Sequence, residues 1–152
     1  HSWRTALMAM LLTGEFPDAD MNKVIRMCLI HDLGEAFPGA IPTFDKTAAD
    51  TQKEDALFAA WIQTLPEETK QEFSSLLTEM NALDTPEARI YKALDKMEAV
   101  IQHNESDIST WLPLEYDLQL RYGAENVTFS PWFQSLKAEI DDWTRRKIAD
   151  NQ

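Results

Sequence analysis

The sequence predicts an all-α protein with about six main helices. Only four of its 152 residues are glycine, and residues that favour helices, such as Ala, Leu, Glu and Lys, are frequent. Apolar side chains recur every three or four positions, as expected of helices that each bury one face. Several of these segments begin with Pro, Thr or Asp, which are residues that favour the start of a helix.

The first two predicted helices lie in the N-terminal third of the chain. Residues 2–12 are rich in Ala, Met and Leu and predict the first helix. The second is expected to begin after the polar cluster at residues 18–22 and to run through KVIRMCLIHDLGEAF as far as Pro38. We expect residues 38–46 to form a loop.

Four further helices are predicted from proline positions and apolar spacing. Pro fits the first turn of a helix because its missing N–H has no partner there, so Pro66, Pro86 and Pro131 each indicate a start. The expected ranges are 47–64, 66–81, 86–105 and 131–148. No internal repeat or linker divides the chain. We therefore expect one domain over residues 1–152, with an N-terminal segment of the native protein missing before His1.

Composition and charge exclude several classes of function. The 26 acidic and 14 basic residues give a net charge of -12, which would repel the phosphate backbone of a nucleic acid polymer. No apolar run approaches the ~20 residues of a membrane span. Cys28 is the single cysteine, so no intramolecular disulfide can form. These features predict a cytoplasmic protein that binds neither nucleic acid polymers nor membranes.

The stretch LIHDLGE places charged groups directly after an apolar run. If the helix continues, Glu35 lies on the same side as His31 and Asp32, since residues three or four apart share a face. Charge in apolar surroundings is costly unless it is paired or bound to a metal. A solvated helix cap is the simpler alternative for His31 and Asp32.

Asp95 lies at the edge of an apolar stripe and raises the same question. Its carboxylate could form an exposed ion pair with Lys92, Lys96 or Arg89. His1 alone could be a disordered terminus or the remnant of a tag. Together, however, the two imidazoles and two carboxylates of His1, His31, Asp32 and Asp95 form a suitable ligand set for a divalent transition metal.

Three motifs, in order, resemble those of the HD-domain phosphohydrolase superfamily. They are HSW at residues 1–3, HDLGE at 31–35 and ALDKMEAVIQ at 93–102. The sequence is most similar to the 5'-deoxynucleotidase-like branch, whose members share HSW, HDxxE, a following Gly-Asp-Ile/Leu-Pro loop and an LDKxE-type helix. The resemblance covers the chain from His1 to about Tyr122.

This resemblance implies a central metal site, a reaction and an assembly. His1, His31, Asp32 and Asp95 are implied to bind one divalent transition metal, and these donors suit Mn, Co, Zn, Fe and Ni alike. Glu35 is implied to be the acid–base residue. The implied activity is hydrolysis of the phosphomonoester of 5'-deoxyribonucleoside monophosphates, with a homodimer as the expected assembly.

The loop after HDLGE departs from the family pattern. Ala40 stands where relatives carry Asp, and its side chain cannot accept a hydrogen bond. A second hypothesis is therefore an HD-domain protein that binds metal and nucleotide but turns over slowly. A third is a helical interaction protein whose polar cluster is structural. Lys46 and Arg4 are candidate contacts for the substrate phosphate, although each is also explained as a solvent-exposed cation.

Overall fold

The computed structural model describes residues 1–37 and 47–151, and within these ranges every regular element is helical. Its α-helices are α1 (Ser2–Leu11), α2 (Met21–Ile30), α3 (Ala48–Ile62), α4 (Glu67–Ala82), α5 (Pro86–Glu105), α6 (Glu115–Arg121) and α7 (Pro131–Ala149). Short 3-10 turns occur among them. The predicted all-α fold is confirmed.

Helix α5 is the central element of the fold. It packs against α1, α2, α4 and α7, and its Leu94 and Met97 are completely buried. Thr85 begins this helix by accepting a hydrogen bond from the backbone N–H of Ala88, and Pro86 occupies the first turn. Because α5 contacts most of the other helices, a polar group on it can meet polar groups from several of them.

Side-chain caps fix three of the other helix starts close to the predicted positions. The Asp20 carboxylate accepts from the backbone N–H of Lys23 at the start of α2. Thr47 and Asp50 form a reciprocal capping box at the start of α3. Ser130 caps α7 before Pro131. Each cap satisfies a backbone N–H that would otherwise have no intrahelical partner.

The prediction of one continuous helix up to Phe37 is wrong. Helix α2 ends at Ile30, and Leu33–Ala36 form a separate 3-10 turn. Gly34 explains why the turn fits there, because a Cβ at this position would lie 3.1 Å from the carbonyl oxygen of Glu54 in α3. The short helix α6 was also not predicted. It spans only seven residues, too few to give a clear periodic pattern.

Two sequence predictions concern residues outside the described ranges. The predicted loop at 38–46, with Ala40 and Lys46, lies there.

Of the helices in the described part of the chain, none combines the length and the apolar character that a membrane crossing requires.

Candidate metal centre

Three helices bring His1, His31 and Asp95 together. His1 stands at the start of α1, His31 directly follows α2, and Asp95 lies in the middle of α5. One potential ligand atom from each lies within 4.8 Å of the other two. His1 Nε2 is 3.1 Å from Asp95 Oδ1, and His31 Nε2 is 3.6 Å from the same oxygen.

His31 is oriented by the end of its own helix. Its Nδ1 lies 2.8 Å from the carbonyl oxygen of Cys28, so Nδ1 carries the proton and donates to a carbonyl that the ended helix leaves without an N–H. The other ring nitrogen, Nε2, is buried and makes no aligned hydrogen bond with any residue that the structure describes. A buried nitrogen with a free lone pair is what a metal ligand requires.

His1 is oriented by a carboxylate that the sequence did not indicate. Its Nδ1 hydrogen-bonds Glu98, whose side chain is completely buried, while its Nε2 faces Asp95. Ring nitrogens of metal-binding histidines commonly donate in this way to a carboxylate behind them. Glu98 lies three residues after Asp95 and therefore on the same side of α5. That spacing was the available signal.

The ring of His1 is charged in the metal-free protein. Hydrogen bonds to Asp95 and then to Glu98 raise the pKa of His1 to about 10, against the opposing effect of burial. A metal ion binds imidazole in its neutral form. Metal binding at neutral pH would therefore release a proton from His1.

Asp95 is shared between the histidines and two lysines. Its Oδ2 lies 3.0 Å from Lys92 Nζ and 3.5 Å from Lys96 Nζ. Burial raises the pKa of Asp95, but the hydrogen bond from His1, the nearby His31 imidazole and the charges of both lysines outweigh burial, so the pKa lies well below its usual range. Asp95 therefore does pair with Lys92 and Lys96, but it is buried rather than exposed as the ion-pair alternative expected, and it lies in the group with His1 and His31.

Asp32 lies beside the cluster rather than within it. Its Oδ1 is 3.1 Å from His31 Nε2, and its Oδ2 is 3.5 Å from Ser2 Oγ. The side chain is 38% exposed, and Asp32 does not belong to the group whose ligand atoms all lie within 4.8 Å of one another. The structure thus places three of the four predicted ligands together, with the fourth in contact with one of them.

The cluster opens into a cavity of about 590 Å³, a volume typical of small-molecule sites. Glu35, on the 3-10 turn after α2, lines this cavity together with all four predicted ligands. Apolar side chains from α3, α4 and α5 complete part of the wall: Phe58, Leu77, Met80 and Tyr91.

Arg4, a candidate phosphate contact, and Cys28, near His31 in the sequence, both have structural explanations. Arg4 donates a bidentate pair of hydrogen bonds to the Glu105 carboxylate, and its Nε lies 3.0 Å from Glu98 Oε1. Cys28 is buried, and burial raises the pKa of its thiol to about 12, as expected of an unreactive core cysteine. Lys46 lies outside the described residues.

The donor set fits a divalent transition metal. Two imidazole nitrogens and one or two carboxylate oxygens converge, and His31 Nε2 is the buried polar atom that such an ion would satisfy.

Comparisons with known proteins identify similar sequences. The profile of the HD domain family matches residues 1–137. The chain is 36% identical over 106 residues to the 5'-deoxynucleotidase HDDC2 of Xenopus laevis, a match that covers 67% of this chain and 51% of that protein. It is 32% identical over 151 residues to the 5'-deoxynucleotidase HDDC2 of Dictyostelium discoideum, covering 93% of this chain and 80% of that protein.

A solved structure has the same fold. The crystal structure of a predicted metal-dependent phosphohydrolase from Magnetospirillum magnetotacticum superposes with a TM-score of 0.76 at 28% identity, covering 97% of this chain and 76% of that one. The chain spans about half the length of the vertebrate relatives, 51% of the frog protein and 52% of the human 5'-deoxynucleotidase HDDC2.

Proposed function

The chain belongs to the HD domain family, and from this membership we propose that it is a metal-dependent phosphohydrolase. The proposed reaction is hydrolysis of the phosphomonoester of 5'-deoxyribonucleoside monophosphates to nucleoside and inorganic phosphate. The observation that carries the proposal is the convergence of His1, His31 and Asp95 within 4.8 Å at the wall of a cavity. Relatives named 5'-deoxynucleotidases support the substrate class.

One divalent transition metal per chain is the proposed cofactor. His1 and His31 would bind it through Nε2, and Asp95 and Asp32 through carboxylate oxygens. When bound, such an ion polarises a phosphoryl oxygen and lowers the pKa of water. The two histidines are already held for this purpose, because Glu98 and the Cys28 carbonyl each accept the Nδ1 proton.

Glu35 is the proposed acid–base residue. It lines the same cavity as the four ligand candidates, on the turn directly after His31 and Asp32. In this role its carboxylate takes a proton from the attacking water and returns one to the departing 5'-oxygen. The cavity must hold substrate, water and this carboxylate together for the transfer to occur.

A screen for phosphate release tests the proposal. The protein is loaded with manganese or cobalt and offered deoxyribonucleoside and ribonucleoside monophosphates. The expected result is metal-dependent release of phosphate from the deoxyribonucleotides, abolished by a chelator and by Glu35→Gln. Metal-loaded protein that releases no phosphate from any nucleoside monophosphate would contradict the proposal.

A protein that binds metal and nucleotide with weak turnover is the second candidate. Ala40 favours it, since the family pattern has an aspartate at this position. Ala40→Asp separates the two candidates. A large gain in phosphate release would support the weakened protein, and unchanged release would support an active enzyme that does not need this carboxylate.

Assembly and compartment belong to the same proposal. A homodimer is supported by apolar side chains that α1 exposes, among them Trp3, Met10 and Leu11. The unpaired Cys28 fits a reducing cytoplasm. Light scattering of the purified protein tests the dimer, and a monomer at micromolar concentration would contradict it.

A further inference from the structure

Two lysines on α5 face the cavity beside Asp95. We propose that Lys92 and Lys96 form the binding site for the phosphate dianion of the substrate, an inference that rests on the proposed function. Both residues line the cavity. They take the role that the sequence suggested for Lys46 and Arg4.

The position of the two ammonium groups relative to Asp95 is the first argument. Asp95 Oδ1 faces the histidines, while Oδ2 lies 3.0 Å from Lys92 Nζ and 3.5 Å from Lys96 Nζ. The imidazoles and the ammonium groups thus meet at the two oxygens of one carboxylate. A phosphate group placed at the histidine cluster would lie next to both cations.

The charge of the cavity is the second argument. Carboxylates dominate its described lining: Asp32, Glu35, Glu54, Asp55 and Asp95. A phosphomonoester dianion is repelled by such a wall unless positive charge is present at the reacting group. Apart from the histidines, Lys92 and Lys96 are the cationic side chains among the lining residues that the structure describes. Arg4 is held by Glu105 and Glu98.

The two lysines are also preorganised. They are four residues apart on one helix, where like charges repel each other. The Asp95 carboxylate lies between the two ammonium groups and offsets this repulsion. Lys96 Nζ also donates a hydrogen bond of 2.8 Å to the Tyr122 hydroxyl. Their side chains are 29% and 22% exposed, so both stems are largely covered while the cavity remains accessible. A bound dianion would relieve the same repulsion.

The competing interpretation is that the lysines only hold Asp95 in place for the metal. The two roles differ in what they predict for metal affinity. A phosphate site that loses a lysine binds phosphate more weakly and keeps its affinity for metal. A clamp on Asp95 that loses a lysine binds the metal itself more weakly.

Calorimetric titrations of the whole chain separate these roles. Manganese is titrated into Lys92→Gln and Lys96→Gln, and inorganic phosphate is then titrated into the manganese-loaded proteins. Lys92→Arg tests whether a cation alone restores binding. Lys70→Gln is the matched control, because Lys70 is similarly exposed at 27% and pairs with Glu67 on α4.

The expected result is a phosphate affinity weakened by about tenfold in each glutamine variant, with manganese affinity equal to that of the wild type and of Lys70→Gln. A raised KM for the nucleotide should accompany it, and Lys92→Arg should recover part of the loss. Unchanged phosphate affinity, or a parallel loss of manganese affinity, would overturn the lysine site. If the wild type releases no phosphate from nucleotides while the glutamine variants still lose phosphate affinity, the proposed function fails and the lysine site stands.

Discussion

Glu98→Gln should weaken metal binding although Glu98 lies behind the proposed ligand set. The Glu98 carboxylate is completely buried and contacts both His1 Nδ1 and Arg4 Nε. Gln keeps the shape and one acceptor oxygen, but it lacks the negative charge that pairs with the Arg4 guanidinium and with the His1 ring. His1 therefore loses part of the force that orients its Nε2 toward Asp95.

The size of the effect follows from these contacts. Losing a carboxylate that orients a metal-binding histidine typically costs about 10- to 100-fold in metal affinity. Hydrogen bonds to charged groups contribute about 1.5–3 kcal/mol. The Arg4 side chain is 40% exposed, so in the variant its guanidinium can be solvated instead. We therefore expect the metal-free protein to lose stability near the lower end of this range, about 1.5 kcal/mol.

Competition with a chromophoric chelator measures the manganese affinity, and urea unfolding in the presence of EDTA measures the stability. Glu105→Gln is the control, since Glu105 binds the same Arg4 but has no contact with His1 that the structure describes. It should leave metal affinity unchanged. Equal metal affinities for the wild type, Glu98→Gln and Glu105→Gln would refute the role assigned to Glu98.

Three other predictions concern the cluster and the turn beside it. Asp95→Asn should abolish stoichiometric metal binding, because it removes the charge that both histidines face; metal analysis after dialysis checks this, and full retention of metal would contradict it. Without metal, the raised pKa of His1 contributes stability below its ordinary value of 6.5 that is lost as the pH rises toward about 10. Urea unfolding in EDTA should therefore show the wild type losing more stability over this range than His1→Gln, and parallel pH profiles would contradict it. Gly34→Val should destabilise the protein by about 1–3 kcal/mol, because even a Cβ would meet the Glu54 carbonyl at 3.1 Å; thermal unfolding measures this, and an unchanged Tm would refute the packing argument.

The sequence predicted the helices and most of the cluster for identifiable reasons. Proline, threonine and aspartate define helix starts through local contacts, so the start of α5 at Pro86 followed from the residues alone. His1, His31 and Asp95 were found because their motifs resemble a family. The separate 3-10 turn at Leu33–Ala36 was missed because it packs Gly34 closely against α3, which is a tertiary contact.

The supporting residues were harder to predict. Glu98 is a charged position on a helix, for which a solvated face is the ordinary explanation, and Lys92 and Lys96 were expected only as partners of Asp95 in an exposed ion pair. Only the packing of α1 and α2 against α5 shows that the Glu98 carboxylate contacts His1 and that the two lysine ammonium groups contact a buried Asp95. The contacts of Arg4 likewise depend on Glu105, which is 101 positions away in the sequence.

The most direct test of the metal centre is a crystal structure of the manganese-loaded protein with the ion located by anomalous scattering. We expect one ion per chain, bound by Nε2 of His1, Nε2 of His31 and a carboxylate oxygen of Asp95. An ion bound elsewhere, or a fully loaded protein in which Asp95 makes no contact with the metal, would contradict it.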